Sequence, residues 1–233
     1  MKLSSVITLV CWLASSTTIV VAADPKSEVT VAVKKLRSQP NFSWTMTPKT
    51  EGSETASRQG PIEGKTEKGG ATWIKGSSGD NSFEAVMKGS KIAVNYAGEW
   101  VAVEEDDEGT GRFARRLKPF KDILESVDEL VSKSKEFTKA ADGSYTSELT
   151  AEGAKEIFGR LGRRAAEATE SSGTAKYWVT DGVLKKFEST VKGKFTAGED
   201  KKEVNLSRTV SVEIKDVGST KVNIPAEATS KLE

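Results

Sequence analysis

Two runs of alternating residues near the end of the chain restrict its fold more than any other feature. In the first, Val183, Phe187, Val191 and Phe195 fall on one side of an extended backbone, and Lys186, Glu188, Thr190, Lys192 and Lys194 fall on the other. In the second, Val204, Leu206, Val210, Val212 and Ile214 share a side that only Arg208 interrupts. A period of two sustained over such lengths belongs to strands with one apolar and one wet face. The polar turn Gly198–Lys202 joins them as an antiparallel pair, so one broad apolar face must be covered by something else.

The rest of the chain supplies more strands and the cover. Phe42, Trp44 and Met46 alternate with Ser43, Thr45 and Thr47. Further strand-like runs follow at Ala71–Lys75, Ser82–Lys88, Lys91–Tyr96 and Glu99–Val103, separated by Gly-containing turns as in a meander. A small hairpin is expected around Asp142-Gly143 (Glu136–Ala140 with Tyr145–Leu149), and Ala175, Tyr177 and Val179 lead into an Asp181-Gly182 turn. Lys221–Ile224 reads as a last short strand ending at Pro225. Lys49–Gly70 is polar and weakly patterned, either a long exposed hairpin or a mobile loop.

Three helices carry apolar stripes. Pro25–Arg37 has Pro in its first turn, Glu28 near its start and Lys34, Lys35 and Arg37 near its end, with Val29, Ala32, Val33 and Leu36 on one side. The second, about Lys118 to Lys133, carries Phe120, Leu124, Val127 and Val131, widened by Ile123 and Leu130. The third opens at Thr150 and holds Ile157, Phe158 and Leu161. Strands outnumber helices and no β-α-β alternation occurs, so the fold class is α+β, mainly β: a strongly curved antiparallel sheet with about three helices on its concave side.

The first 23 residues are expected to be a cleavable secretory signal. Lys2 precedes the apolar stretch Val6–Ala14, and small residues at Ala22 and Ala23 stand just before Asp24-Pro25. The apolar stretch is too short for a comfortable membrane span. Cys11, the single cysteine, lies inside it and leaves with it, so residues 24–233 form one cysteine-free domain. Once Lys2 is removed, 34 basic residues face 34 acidic ones. That balance speaks against a nucleic-acid partner. Nothing after Asp24 has the length of a transmembrane helix, so the chain is not expected to be an integral membrane protein.

The chain contains no histidine. This excludes Ser-His-Asp and Cys-His triads, His-ligated zinc and the commonest general base near neutrality. An enzyme would have to work through carboxylates, Lys, Tyr or Ser–Lys, as glycosidases use carboxylates. No local motif points to these, so no enzyme, cofactor, catalytic residue or metal site is expected. Gly60-Pro-Ile-Glu-Gly64-Lys65-Thr66 has one residue too few between its glycines for a phosphate-binding loop. The acidic run Glu104–Glu108 lacks the ligand spacing of a calcium loop and reads as a solvated turn. Arg112, Arg115, Arg116 and Lys118 read as partners of those acids, and Arg160, Arg163 and Arg164 as a solvated helix end. Trp44, Trp73, Trp100 and Trp178 lie on expected strands. Ordinary core packing accounts for each of them. The functional alternative is that these tryptophans, with Met46, Phe83 and Met87, line an apolar cavity.

The segment Ala175-Lys-Tyr-Trp-Val-Thr-Asp-Gly-Val-Leu-Lys-Lys-Phe187 resembles a hairpin of LolA/LppX-like envelope proteins. Lys221-Val-Asn-Ile-Pro-Ala-Glu-Ala228 resembles the closing segment of the same group, and the element order is similar too. The resemblance implies a half-open barrel with helices across its mouth and a cavity for acyl chains of lipids or lipoproteins. It also implies a periplasmic or secreted carrier or envelope sensor in a Gram-negative-type envelope. Lys49–Gly70 and the acidic run depart from the pattern. The competing expectation is a filled-core module that binds another envelope protein through its surface.

Overall fold

The computed structural model describes residues 24–52, 59–79, 81–104, 106–108, 110–161, 165–197 and 202–233. The expected signal segment, part of Lys49–Gly70, Glu105, Arg163, Arg164 and the side chain of Arg112 lie outside that description.

Helix α1 (Pro25–Arg37) is capped by Asp24, whose carboxylate accepts the Ser27 N–H, and it buries Val29, Ala32, Val33 and Leu36 as its stripe requires. Eleven strands follow: β1 (Asn41–Glu51), β2 (Gln59–Glu67), β3 (Ala71–Ser78), β4 (Asn81–Lys88), β5 (Lys91–Tyr96), β6 (Glu99–Val103), β7 (Ser134–Lys139), β8 (Tyr145–Leu149), β9 (Glu170–Thr180), β10 (Val183–Ala197) and β11 (Lys202–Lys215). They pair antiparallel in one sheet ordered β6-β5-β4-β3-β2-β1-β11-β10-β9-β8-β7. The first and last parts of the chain are thus joined through β1 and β11, while β6 and β7 remain unpaired edges. The sheet is a half-open barrel.

Three helices lie between β6 and β9, and α5 lies near the C-terminus. α2 (Gly111–Leu117) runs through a 3-10 turn, Lys118–Phe120, into α3 (Ile123–Ser132), which Asp122 caps through the Leu124 N–H. α4 (Ala151–Gly159) is capped by Thr150. The expected single helix from Lys118 is therefore two pieces. Asp122 favours a cap over a helix interior, and α2 occupies what reads in the sequence as a basic patch. α1 to α4 pack their apolar residues on one face of the sheet, here the inner face. α5 (Ala226–Thr229) lies on the opposite face, where Ala228, Val222 and Ile224 pack with Ala71, Val86, Ala93 and Trp100.

Lys221–Ile224 is not a strand. Its apolar residues instead cover an outer apolar patch. Where it is described, Lys49–Gly70 is mostly paired strand, the end of β1 and all of β2, with β1 and β2 matched from Asn41↔Glu67 to Met46↔Ile62. Its weak pattern reflects a glycine on the inner face: Gly64 stands where the Trp44 ring passes, and a Cβ there would lie 2.1 Å from two ring atoms. The Asp181-Gly182 turn takes positive φ at both residues, 54° and 69°, as a tight two-residue hairpin requires.

Candidate functional site

Register assigns the inner face without ambiguity. One cross-strand row is Phe42, Thr66, Thr72, Met87 and Ile92; the next is Ile214, Trp44, Gly64, Ile74, Ala85 and Val94; the next is Val212, Met46, Ile62, Gly76, Phe83 and Tyr96. The first row, from Phe42 to Met87, is the floor of a cleft of about 590 Å³ between the sheet and α3. Phe42, Thr66, Thr72, Met87 and Leu124 line it, and Arg37, Glu67, Lys68, Lys121, Asp122 and Glu125 surround it. The Thr72 hydroxyl donates to the Lys121 carbonyl at 3.0 Å, and Trp44 Nε1 donates to Thr66 Oγ1 at 3.3 Å, so both polar groups beside the floor are occupied. Arg37 is held by Asp128 at 2.7 Å and Asp122 at 3.7 Å. This size lies within the range for small-molecule sites, but its rim is polar.

The other end of the inner face is covered less completely. Along β11, Ile214 and Val212 are buried, whereas Val210 and Arg208 are half-buried. Along β1, Phe42 and Trp44 are buried, whereas Met46, Pro48 and Thr50 are half-buried. Ile62, Phe83 and Phe195 on neighbouring strands are likewise only partly covered, as are Phe113 of α2 and Ile157 of α4. Phe113 meets Phe83 edge-on with ring centroids 6.1 Å apart. A continuous apolar surface therefore runs from the filled core toward solvent at the ends of β1, β4, β10 and β11.

The seven residues singled out from the sequence divide by face. Trp44, Met46, Phe83 and Met87 lie on the inner face. Trp44 is 1% exposed and stacks on Phe120, 6.2 Å between centroids, so it is a core wall; Met87 is a floor residue; Met46 and Phe83 belong to the partly covered surface. Trp73, Trp100 and Trp178 are on the outer face. Trp73 donates to Glu84 and lies under Lys65, and it packs with Trp100 beneath the C-terminal segment. Trp178 sits between Lys176 and Lys186, whose ammonium groups are 4.9 and 4.7 Å from its ring. A single cavity cannot collect all seven, because strand alternation sends these three to the other side. Phe42, Ile62, Phe113, Leu124, Phe195 and Val210 belong to the inner surface instead. Of these, Phe42, Val210 and Phe195 were legible from alternation, and Ile62 was hidden in a segment without clear period.

Charged groups form local networks away from this surface. Glu129 is held below the usual carboxylate range first by Arg160 and then by Lys133, and Glu156 joins both. Asp142 is held low by the Ser144 hydroxyl and by Lys176. Tyr145 and Lys139 both reach Glu28, fixing α1 to the β7–β8 edge. Among the described residues no group of three or more His, Cys, Asp or Glu side chains is placed to hold a metal, and no helix is long and apolar enough to cross a membrane.

The solved structure of Mycobacterium tuberculosis lipoprotein LppX overlays this chain with a TM-score of 0.52 and 12% identity, over 86% of this chain and 98% of that one. The chain has an LppX-like fold. LprF from Mycobacterium bovis gives a TM-score of 0.50 at 12% identity, covering 88% and 97% of the two chains. No protein-family model matches the sequence, and no curated protein matches it. At this identity the LppX-like likeness is one of fold, and the inner-face residues are read from this chain alone.

Proposed function

We propose that the protein is an exported, non-catalytic carrier or sensor that binds an apolar ligand, a lipid or the acyl chain of a lipoprotein, against the inner face of its sheet. One observation carries this reading: the inner face stays apolar where the helices cease to cover it. Met46, Ile62, Phe83, Phe113, Phe195 and Val210 are half-buried side chains continuous with a fully buried core. A filled-core module would be expected to close that surface. Contiguous apolar surface at the mouth of an open barrel suits an acyl chain, whose burial contributes about 0.8 kcal/mol per CH₂. The half-open LppX-like architecture supports the same reading, as does the absence of histidine.

In this reading residues 1–23 direct export and are removed, and the remaining domain acts in the cell envelope. The test is native mass spectrometry with lipid extraction on protein purified from its own envelope, alongside titration with a fluorescent acyl probe. A co-purifying acyl lipid or lipoprotein in near-stoichiometric amount is expected. Protein that carries none and leaves the probe unchanged would overturn the carrier reading and leave surface binding of an envelope partner.

A further inference from the structure

Between Val204 and Ile214, Arg208 is the one charged residue in an otherwise apolar column of β11, whose first position is Lys202. It follows Leu206 and precedes Val210 on the inner face, and lies across from Val191 of β10 and Thr50 of β1. Its side chain is half-buried, and burial pulls its pKa downward with no acidic group opposing the shift. Nη1 donates to Thr50 Oγ1 at 3.3 Å and Nη2 donates to Gln59 Oε1 at 2.7 Å; both acceptors are neutral. Among the described residues no carboxylate pairs with it. The acids nearest in register, Glu51 beside Ser207 and Glu188 beside Ser211, alternate onto the outer face, and Glu51 is taken by Lys49 at 2.7 Å.

A guanidinium withdrawn from water is normally compensated by an anion, because neutral acceptors recover only part of its lost hydration. Arg208 has five N–H donors in a planar fork, and its two bonds leave three. Those two bonds also hold the fork in place from β1 and β2, so little side-chain entropy remains to be lost when an oxyanion arrives. Around it the inner face is apolar: the buried Val191 and Leu206 and the half-buried Val210 adjoin it, and the half-buried Met46 and Ile62 continue this face on β1 and β2.

We infer that Arg208 binds the oxyanion head of an amphiphilic ligand, a carboxylate or a phosphate, whose acyl chain lies along Val210, Met46, Ile62 and Phe83. This rests on the apolar-ligand reading above and adds a requirement for a negative head. A purely structural Arg208 would only tie the start of β2 to β11, and the two roles differ in ligand preference.

The test compares oleate, oleyl phosphate and oleyl alcohol as competitors of a fluorescent acyl probe, on wild-type protein and on Arg208→Gln and Arg208→Lys. Wild type is expected to prefer at least one anionic ligand over the alcohol by about tenfold or more. Preference for oleate indicates a free carboxylate as the source, and preference for oleyl phosphate a phosphate head. Arg208→Gln should bring the preference close to one while oleyl alcohol affinity holds. Arg208→Lys should keep part of it, since it retains the charge and loses the fork. If wild type binds all three alike, or Arg208→Gln keeps the preference, the head-group role is wrong and the apolar-ligand reading survives. Absence of binding by all three overturns both. Should Arg208→Gln fail to fold, the wild-type preference, tested also for weakening at raised salt, still decides.

Discussion

Replacing Gly64 with Ala tests how the inner face is packed. The new Cβ would lie 2.1 Å from Trp44 Cε2 and Cζ2, far inside van der Waals contact, so the ring must shift. Trp44 is 1% exposed, stacks on Phe120 and donates to Thr66, and every route of escape disturbs one of these. Overpacking of this kind costs about 1–3 kcal/mol. Loss of the indole hydrogen bond costs about 1 kcal/mol. Gly64 is not in the left-handed region, so alanine's smaller unfolded-state entropy offsets about 0.4–1 kcal/mol. The net loss is roughly 2 kcal/mol, or a fall in Tm of about 4–8 °C for a chain of this length. Thermal and urea unfolding, followed by tryptophan fluorescence, measure it. Trp44→Phe should cost less in the Gly64→Ala background than alone, because the smaller ring relieves the overlap. A Gly64→Ala protein with unchanged Tm and unchanged emission, or strictly additive costs, would refute the packing argument.

Two further predictions concern titratable groups. Tyr177 is buried and stacked on Phe137 at 5.6 Å, and its hydroxyl makes no hydrogen bond of good geometry among the described residues, its polar neighbour Ser134 donating instead to the Leu130 carbonyl. Tyr177→Phe should therefore be neutral or mildly stabilising; a loss above about 1 kcal/mol in urea unfolding would show that the Ser134 contact holds the hydroxyl. The lowered pKa values of Glu28, Glu129 and Asp142 mean that their contribution is complete above the unfolded carboxylate values near 4 and is lost as pH falls through the lower folded ones. Stability should therefore decline mainly below about pH 4, and Glu129→Gln should flatten that decline in a series of urea midpoints; an unchanged acid limb would contradict this role.

The sequence by itself determined the elements whose local signal and final environment agree. α1, the four meander strands, the Asp181-Gly182 hairpin and the long β10–β11 pair carry their period in their own residues, because a side chain's face follows from the backbone repeat alone. It also marked Arg208 as the interruption of an apolar face. Other features required the tertiary structure. Whether a tryptophan on a strand faces the inner or the outer side depends on which face the helices cover, and the C-terminal segment supplies a second cover that drew Trp73 and Trp100 outward. β2 has little pattern because Gly64 leaves room for a ring from another strand. The break between the Lys118–Phe120 turn and α3 comes from Asp122 capping α3 within a stretch that local periodicity reads as one helix. The half-covered apolar surface around Met46, Ile62, Phe83 and Val210 has no counterpart in sequence, since exposure is set by where four separate helices end on a shared sheet. That Arg208 meets only neutral acceptors was decided there too, by strands distant in the chain that place Thr50 and Gln59 beside it and leave the nearest acids on the other face.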